Sequence, residues 1–155
     1  MDYKITTKSE RETIELAENF EAEKFPNMVI CLNGDLGSGK TIFTKGFAAA
    51  LGIDETVTSP TFNIIKEYLN GEMPLYHMDV YRLEGNIEGT GITDYFNKNG
   101  VTIIEWAEMI EDYLPEERLD ITIKVVGECK RVLKIVPHGQ KYEELCEAVL
   151  WSAFF

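Results

Sequence analysis

Apolar and polar residues succeed one another along this chain in three distinct rhythms. In "SERETIELAENFEAEKF" (9–25) the apolar residues Ile14, Leu16, Ala17 and Phe20 recur at helical intervals among acidic ones. Ser9 stands as an N-cap and Glu12, three residues on, completes a capping box, so this stretch predicts a helix. "MVICL" (28–32) is instead a short unbroken apolar run, the pattern of a strand buried on both faces. "KTIFTKGFAAALG" (40–52) returns to helical spacing through Phe43, Phe47, Ala50 and Leu51, with Gly52 as its stop signal.

Further on, "FNIIKEYL" (62–69) and "PLYHMDVY" (74–81) flank an Asn-Gly pair and predict an antiparallel hairpin. "GITDYFN" (91–97) reads as a short helix and "VTIIEW" (101–106) as a second buried strand, followed by the helix-like "AEMIEDYL" and then Pro115. "LDITIKVVG" and "KRVLKIVP" alternate in the manner of a hairpin, and "KYEELCEAVLWSAFF" reads as a closing amphipathic helix. The aromatic end of that helix, "LWSAFF", reads as core packing or, alternatively, as a docking surface. Strand, glycine-rich loop, helix, then mixed strands and hairpins predict one domain over 1–155, a three-layer α/β fold on a mixed sheet flanked by helices.

Composition narrows the partners. Fifteen basic against 27 acidic side chains give a net charge of −12, a field that repels nucleic acid and anionic membrane alike. Direct, unaided binding of tRNA or DNA is therefore disfavoured. No apolar run approaches the roughly 18 residues that span a bilayer, and the start lacks the apolar core of a secretory signal. Cys31, Cys129 and Cys146 are scattered and odd in number, which argues against a disulfide framework or a zinc site and favours a reducing cytoplasm.

The chemistry is concentrated in "NGDLGSGKT" (33–41). Gly34 to Thr41 satisfies G-x-x-x-x-G-K-[ST] in full, between an apolar strand and an amphipathic helix. Such a P-loop wraps a phosphate in backbone N–H groups, so glycines keep side chains out of the way, and the helix N-terminus points its positive dipole end at the same anion. Asp35, Leu36, Gly37, Ser38 and Gly39 form the cradle; Lys40 reaches the β- and γ-phosphates, and the Thr41 hydroxyl is a magnesium ligand.

A magnesium–triphosphate site also needs a carboxylate at a strand end. Glu105, closing "VTIIE", is assigned to the metal; Asp79, in "YHMDVYR", is assigned to polarising water or sensing the γ-phosphate, and spacing alone would allow the two to exchange roles. "TSPTF" (58–62) is either a plain loop or a switch whose Thr61 approaches the γ-phosphate. Trp106 either packs in the core or lies part-exposed beside the nucleotide. His77 and His138 form no metal pair, and His77 reads as a packed or hydrogen-bonded histidine.

"NGDLGSGKT", "SPTF", "YHMDVYRL", "GITDYF" and "IIEWAE", in that order and spacing, closely resemble the TsaE (YjeE) family, over residues from about 9 to about 136. The resemblance implies a P-loop ATPase of bacterial tRNA threonylcarbamoyladenosine synthesis, specific for ATP, dependent on magnesium and weakly active alone. It also implies a complex with the TsaD and TsaB proteins, through which tRNA is met only indirectly. Carried over by position, Thr41 and Glu105 match the magnesium residues, Lys8 and Glu10 match a segment lining the nucleotide, and Arg131 matches a basic residue near it. Asn63 departs from the hydroxyl residue usual in the family and bears on the switch loop; "EGNIEGT" (84–90) is richer in glycine than usual and bears on partner contacts.

Other classes fare less well. A small-molecule kinase on the same P-loop needs arginines to clamp the phosphoryl group, and only Arg11, Arg82, Arg118 and Arg131 exist, scattered. A GTPase needs a carboxylate where "NKNG" (97–100) has Gly100. A nucleotide-dependent binding module with negligible turnover stays closest to the ATPase reading.

Overall fold

A computed structural model describes residues 1–60, 64–83 and 87–154. Seven strands form one mixed sheet in the order β1-β7-β6-β2-β5-β4-β3. They are β1 Tyr3–Thr7, β2 Val29–Gly34, β3 Ile65–Tyr68, β4 Leu75–Asp79, β5 Val101–Glu105, β6 Arg118–Val125 and β7 Arg131–His138. β2 lies in the middle and pairs in parallel with β5 and β6, while β4 pairs in parallel with β5. The β3–β4, β6–β7 and β1–β7 pairs are antiparallel. As expected, then, the fold is an α/β layer structure on a mixed sheet.

The helices are α1 Glu10–Ala22, α2 Lys40–Ala50 and α3 Gln140–Phe154. They pack with one sheet face around Leu16, Phe20, Phe43, Phe47, Ile121 and Leu145. α1 ends three residues before the apolar pattern suggests. Its start follows the capping logic: Ser9 Oγ accepts from Glu12 N at 3.2 Å, and Glu12 Oε1 accepts from Lys8 N at 2.9 Å. α1 crosses α2 at Gly46, where a Cβ would stand 3.1 Å from Ile14 Cα, so glycine sets how closely these helices approach. The opposite face is covered over β2, β5 and β4 by two 3₁₀ segments, Ile92–Asn97 and Ala107–Tyr113, where α-helical turns were expected. The second contains a kink at Ile110, whose φ is −128°.

β1 was not expected from the sequence. Its five residues show inward-facing Ile5 and Thr7 and outward-facing Lys4 and Thr6, and it exists because it pairs with β7 along its whole length. Of the aromatic end of α3, Leu150 is buried, and the side chains of 151–155 lie outside the described ones. Among the described residues no helix is long and apolar enough to cross a membrane.

Candidate nucleotide site

Strand direction assembles the site. β2, β5, β4 and β6 are mutually parallel or aligned through shared partners, and β1 runs antiparallel to β7, hence along β6. The C-terminal ends of all five therefore meet at one edge of the sheet. There β2 delivers the P-loop, β5 delivers Glu105, β4 delivers Asp79, and β1 delivers Lys8 and the start of α1. The β6–β7 turn delivers Arg131, and β3, running the other way, begins at this edge, bringing residues 58–60 with it. Open α/β sheets hold ligands at this edge because the helices that follow point their N-termini toward it.

The loop has the backbone its glycines predict. Gly34, Gly37 and Gly39 have φ of 147°, 77° and 115°. No side chain caps α2 at its N-cap Gly39, so the first-turn N–H groups and the helix dipole face the loop's interior. Ser38 is buried, and its Oγ has no hydrogen-bond partner among the described residues. Leu36, by contrast, is 89% exposed at the loop's outer tip and Asp35 is exposed beside it, so only their backbone is placed to serve the cradle.

Lys40 is buried and turned back into the loop. Its Nζ donates to Gly34 O at 2.5 Å and to Asp35 O at 3.1 Å, and lies 4.1 Å above the Trp106 ring centroid. Burial pushes this ammonium below its ordinary pKa, and the Glu105 carboxylate opposes the shift. Trp106 is half-buried with a left-handed φ of 63°, rare for a bulky residue, and its ring meets Tyr81 at 4.7 Å between centroids. Trp106 thus shares in both readings, packing against the core cluster of Ile104 and Ile110 while its part-exposed ring covers the Lys40 ammonium.

Thr41 Oγ1 is 2.8 Å from Ser59 Oγ and 3.5 Å from each Glu105 carboxylate oxygen. Glu105 is 3% exposed and its Oε2 is bound by His77 Nε2. Asp79 lies directly beside Glu105 in the β4–β5 register. Its Oδ1 accepts from Tyr81 N at 3.1 Å, while burial raises its pKa above the ordinary value and the Glu105 charge adds to that rise.

Arg131 binds the far side of the loop, donating from Nε to Ser38 O at 2.9 Å and from Nη1 to the carbonyls of Gly127, Glu128 and Lys130. Beside it opens a cavity lined by Ser9, Glu10, Thr13, Gly39, Ile42 and Cys129. Glu10 thus joins the site, whereas Lys8 is exposed and its described contact is its backbone bond to Glu12. Thr61 and Asn63 lie outside the described residues.

Two contributors went unassigned in the sequence reading. Ser59 lies within "TSPTF", but no spacing rule links its hydroxyl to Thr41. His77, expected to be packed or hydrogen-bonded, stands two residues before Asp79, but only the β4–β5 pairing brings its imidazole to Glu105.

The donor set suits magnesium held together with a triphosphate. It offers a hydroxyl and a carboxylate, both hard oxygen donors, close to a polyphosphate cradle. Among the described residues no group of three or more His, Cys, Asp or Glu would hold a metal by itself.

Comparison with known proteins gives a family match and a shared fold. Residues 7–133 match the family model described as threonylcarbamoyl adenosine biosynthesis protein TsaE. The tRNA threonylcarbamoyladenosine biosynthesis protein TsaE of Bacillus subtilis is 51% identical over 93% of this chain and 91% of that protein. Its namesake from Rickettsia bellii is 36% identical over 82% and 90% respectively. The crystal structure of Bacillus subtilis YdiB superposes with a TM-score of 0.83 at 43% identity, covering 99% of this chain and 97% of that one.

Proposed function

The chain belongs to the TsaE family, and on that premise we propose that it is the ATP-binding and ATP-hydrolysing subunit of the system that makes threonylcarbamoyladenosine at adenosine 37 of tRNA. One observation carries the chemistry: a complete P-loop at the end of β2 faces a buried carboxylate, Glu105, across the Thr41 hydroxyl.

The backbone amides from Asp35 to Thr41 and the α2 dipole bind the phosphates, and Lys40 exchanges its carbonyl partners for phosphate oxygens. Thr41 and Glu105 would hold Mg²⁺, which when bound neutralises charge on the β- and γ-phosphates. Asp79, adjacent to Glu105, orients water or reads the γ-phosphate. Glu10 and Arg131 flank the remainder of the nucleotide, and Thr61 belongs to the switch loop that Ser59 begins. Lys8 lies at the rim. All of this forms one ATPase domain over 1–155, working in the cytoplasm.

Catalysis alone is expected to be weak, because Arg11 is paired with Glu15 and Glu18 and Arg118 with Asp120, leaving neither to offset developing phosphoryl charge. The same scarcity disfavours a small-molecule kinase. TsaD and TsaB are the proposed partners that raise turnover, and tRNA is met only through them.

The test is phosphate release from ATP, titrated with purified TsaB–TsaD, alongside Lys40→Ala. Stimulated multiple turnover that requires magnesium and disappears in Lys40→Ala is expected. Binding without turnover under every condition would leave a nucleotide-gated binding module, and ATP consumption proportional to an added small acceptor would make the protein a kinase.

A further inference from the structure

β4 is an apolar strand, "LYHMD", except where it nears the site. His77 within it is 0% exposed, as deeply buried as the Leu75 and Met78 that flank its neighbours. Its Nε2 stands 2.5 Å from Glu105 Oε2, and its Nδ1 is buried with no partner among the described residues. A buried nitrogen left unpaired destabilises the fold, so a leucine of similar bulk would suit the core better unless the other nitrogen does something a leucine cannot. A bare Nδ1 acceptor with a protonated Nε2 is the neutral tautomer that donates to a carboxylate, a charge-assisted bond.

We propose that His77 is a positioning residue for the metal-binding carboxylate; the inference rests on the magnesium–nucleotide reading above. The two oxygens of Glu105 are chemically equivalent, and both stand 3.5 Å from Thr41 Oγ1. The Lys40 ammonium, held on the Gly34 and Asp35 carbonyls, lies within electrostatic reach of the Glu105 charge. A freely turning carboxylate would pair with that lysine and take it from the phosphates. By tying Oε2 from the core side, His77 restrains the group's rotation and leaves Oε1 as the oxygen that would be free for a metal. The partners that orient metal ligands typically matter by about 10- to 100-fold in metal affinity.

The experiment is calorimetric titration of the full chain with ADP, in magnesium and in EDTA, for the parent, His77→Leu, His77→Gln, His77→Asn, Glu105→Gln and the His77→Leu/Glu105→Gln pair. His77→Leu is expected to keep its affinity in EDTA within about twofold and to lose about 10- to 100-fold of the gain that magnesium confers. His77→Gln, whose amide donates to the same oxygen, should restore most of that gain. In the Glu105→Gln background His77→Leu should subtract nothing further. An undiminished magnesium gain in His77→Leu, or equal losses in magnesium and EDTA, overturns the proposal. Should His77→Leu not fold, the pair of polar variants decides: Gln keeping the gain while the shorter Asn loses it supports the proposal, and equal behaviour overturns it. A parent protein that binds ADP with no magnesium gain would overturn the magnesium assignment and this inference with it, and one that binds no ADP in either buffer would overturn the nucleotide reading.

Discussion

The three P-loop glycines share a positive φ but not the same surroundings in the folded protein. A Cβ built on Gly34 would stand 2.6 Å from the backbone oxygen of Ile123 on β6 and 2.7 Å from Ser38 Oγ, at a φ of 147°. The carbonyl cannot move without breaking the β2–β6 ladder, in which Gly34 pairs with Ile123. Gly37 has a φ of 77° and open space where its Cβ would go. Gly34→Ala should therefore carry both a backbone penalty of about 1–3 kcal/mol and an overpacking penalty of about 1–3 kcal/mol. Gly37→Ala should carry only the left-handed penalty of about 1–2 kcal/mol. Urea denaturation should place Gly34→Ala about 1–4 kcal/mol below Gly37→Ala, from the difference of those sums. At roughly 3 °C per kcal/mol for a chain this size, their melting temperatures should differ by about 3–12 °C. Gly37→Ala should stay folded and show its defect in ADP affinity, since the added methyl group intrudes on the phosphate approach. Equal stabilities for the two variants, within about 0.5 kcal/mol, would refute the argument that β6 is what demands glycine at 34.

Two further outcomes probe other parts of the fold. Burial holds the Asp79 carboxyl above its ordinary pKa of 3.8, with the Tyr81 N–H opposing. A group that binds its proton more tightly folded than unfolded makes stability fall as pH rises from 3.8 through the raised value. Asp79→Asn should accordingly be more stable than the parent at neutral pH, with the advantage fading as pH falls through that window, and an advantage that is independent of pH would contradict it. Ser9→Ala removes the α1 cap and should lower unfolding free energy by about 0.5–2 kcal/mol in denaturant titration, and an unchanged stability would contradict the capping role.

Local signals were legible and long-range ones were not. The P-loop, β2 and α2 could be read because strand, glycine conformation, lysine and helix start lie within some twenty consecutive residues, each with its own chemical signature. The capping box at Ser9 and the β6–β7 hairpin were readable for the same reason. β1 was not, since "YKITT" has only two inward-facing residues and acquires its identity as a strand from β7, well over a hundred residues away. The two 3₁₀ segments were read as helices because the short apolar spacings of "GITDYFN" and "AEMIEDYL" fit either geometry, and packing against β2, β5 and β4 chose the tighter one.

Sequence alone laid down the complete P-loop motif and singled out Glu105 and Asp79 as the carboxylates at nearby strand ends, because residue type and local spacing dictate those properties. Only the tertiary structure decided that Glu105 faces Thr41, that Asp79 lies beside it, that Trp106 covers Lys40 and that His77 grips the carboxylate from within the core. Those relations depend on strand order and register, which bring β4, β5 and the P-loop to one edge of the sheet. Register is set by burying the apolar faces of all seven strands at once, a condition on the whole chain that no single segment states.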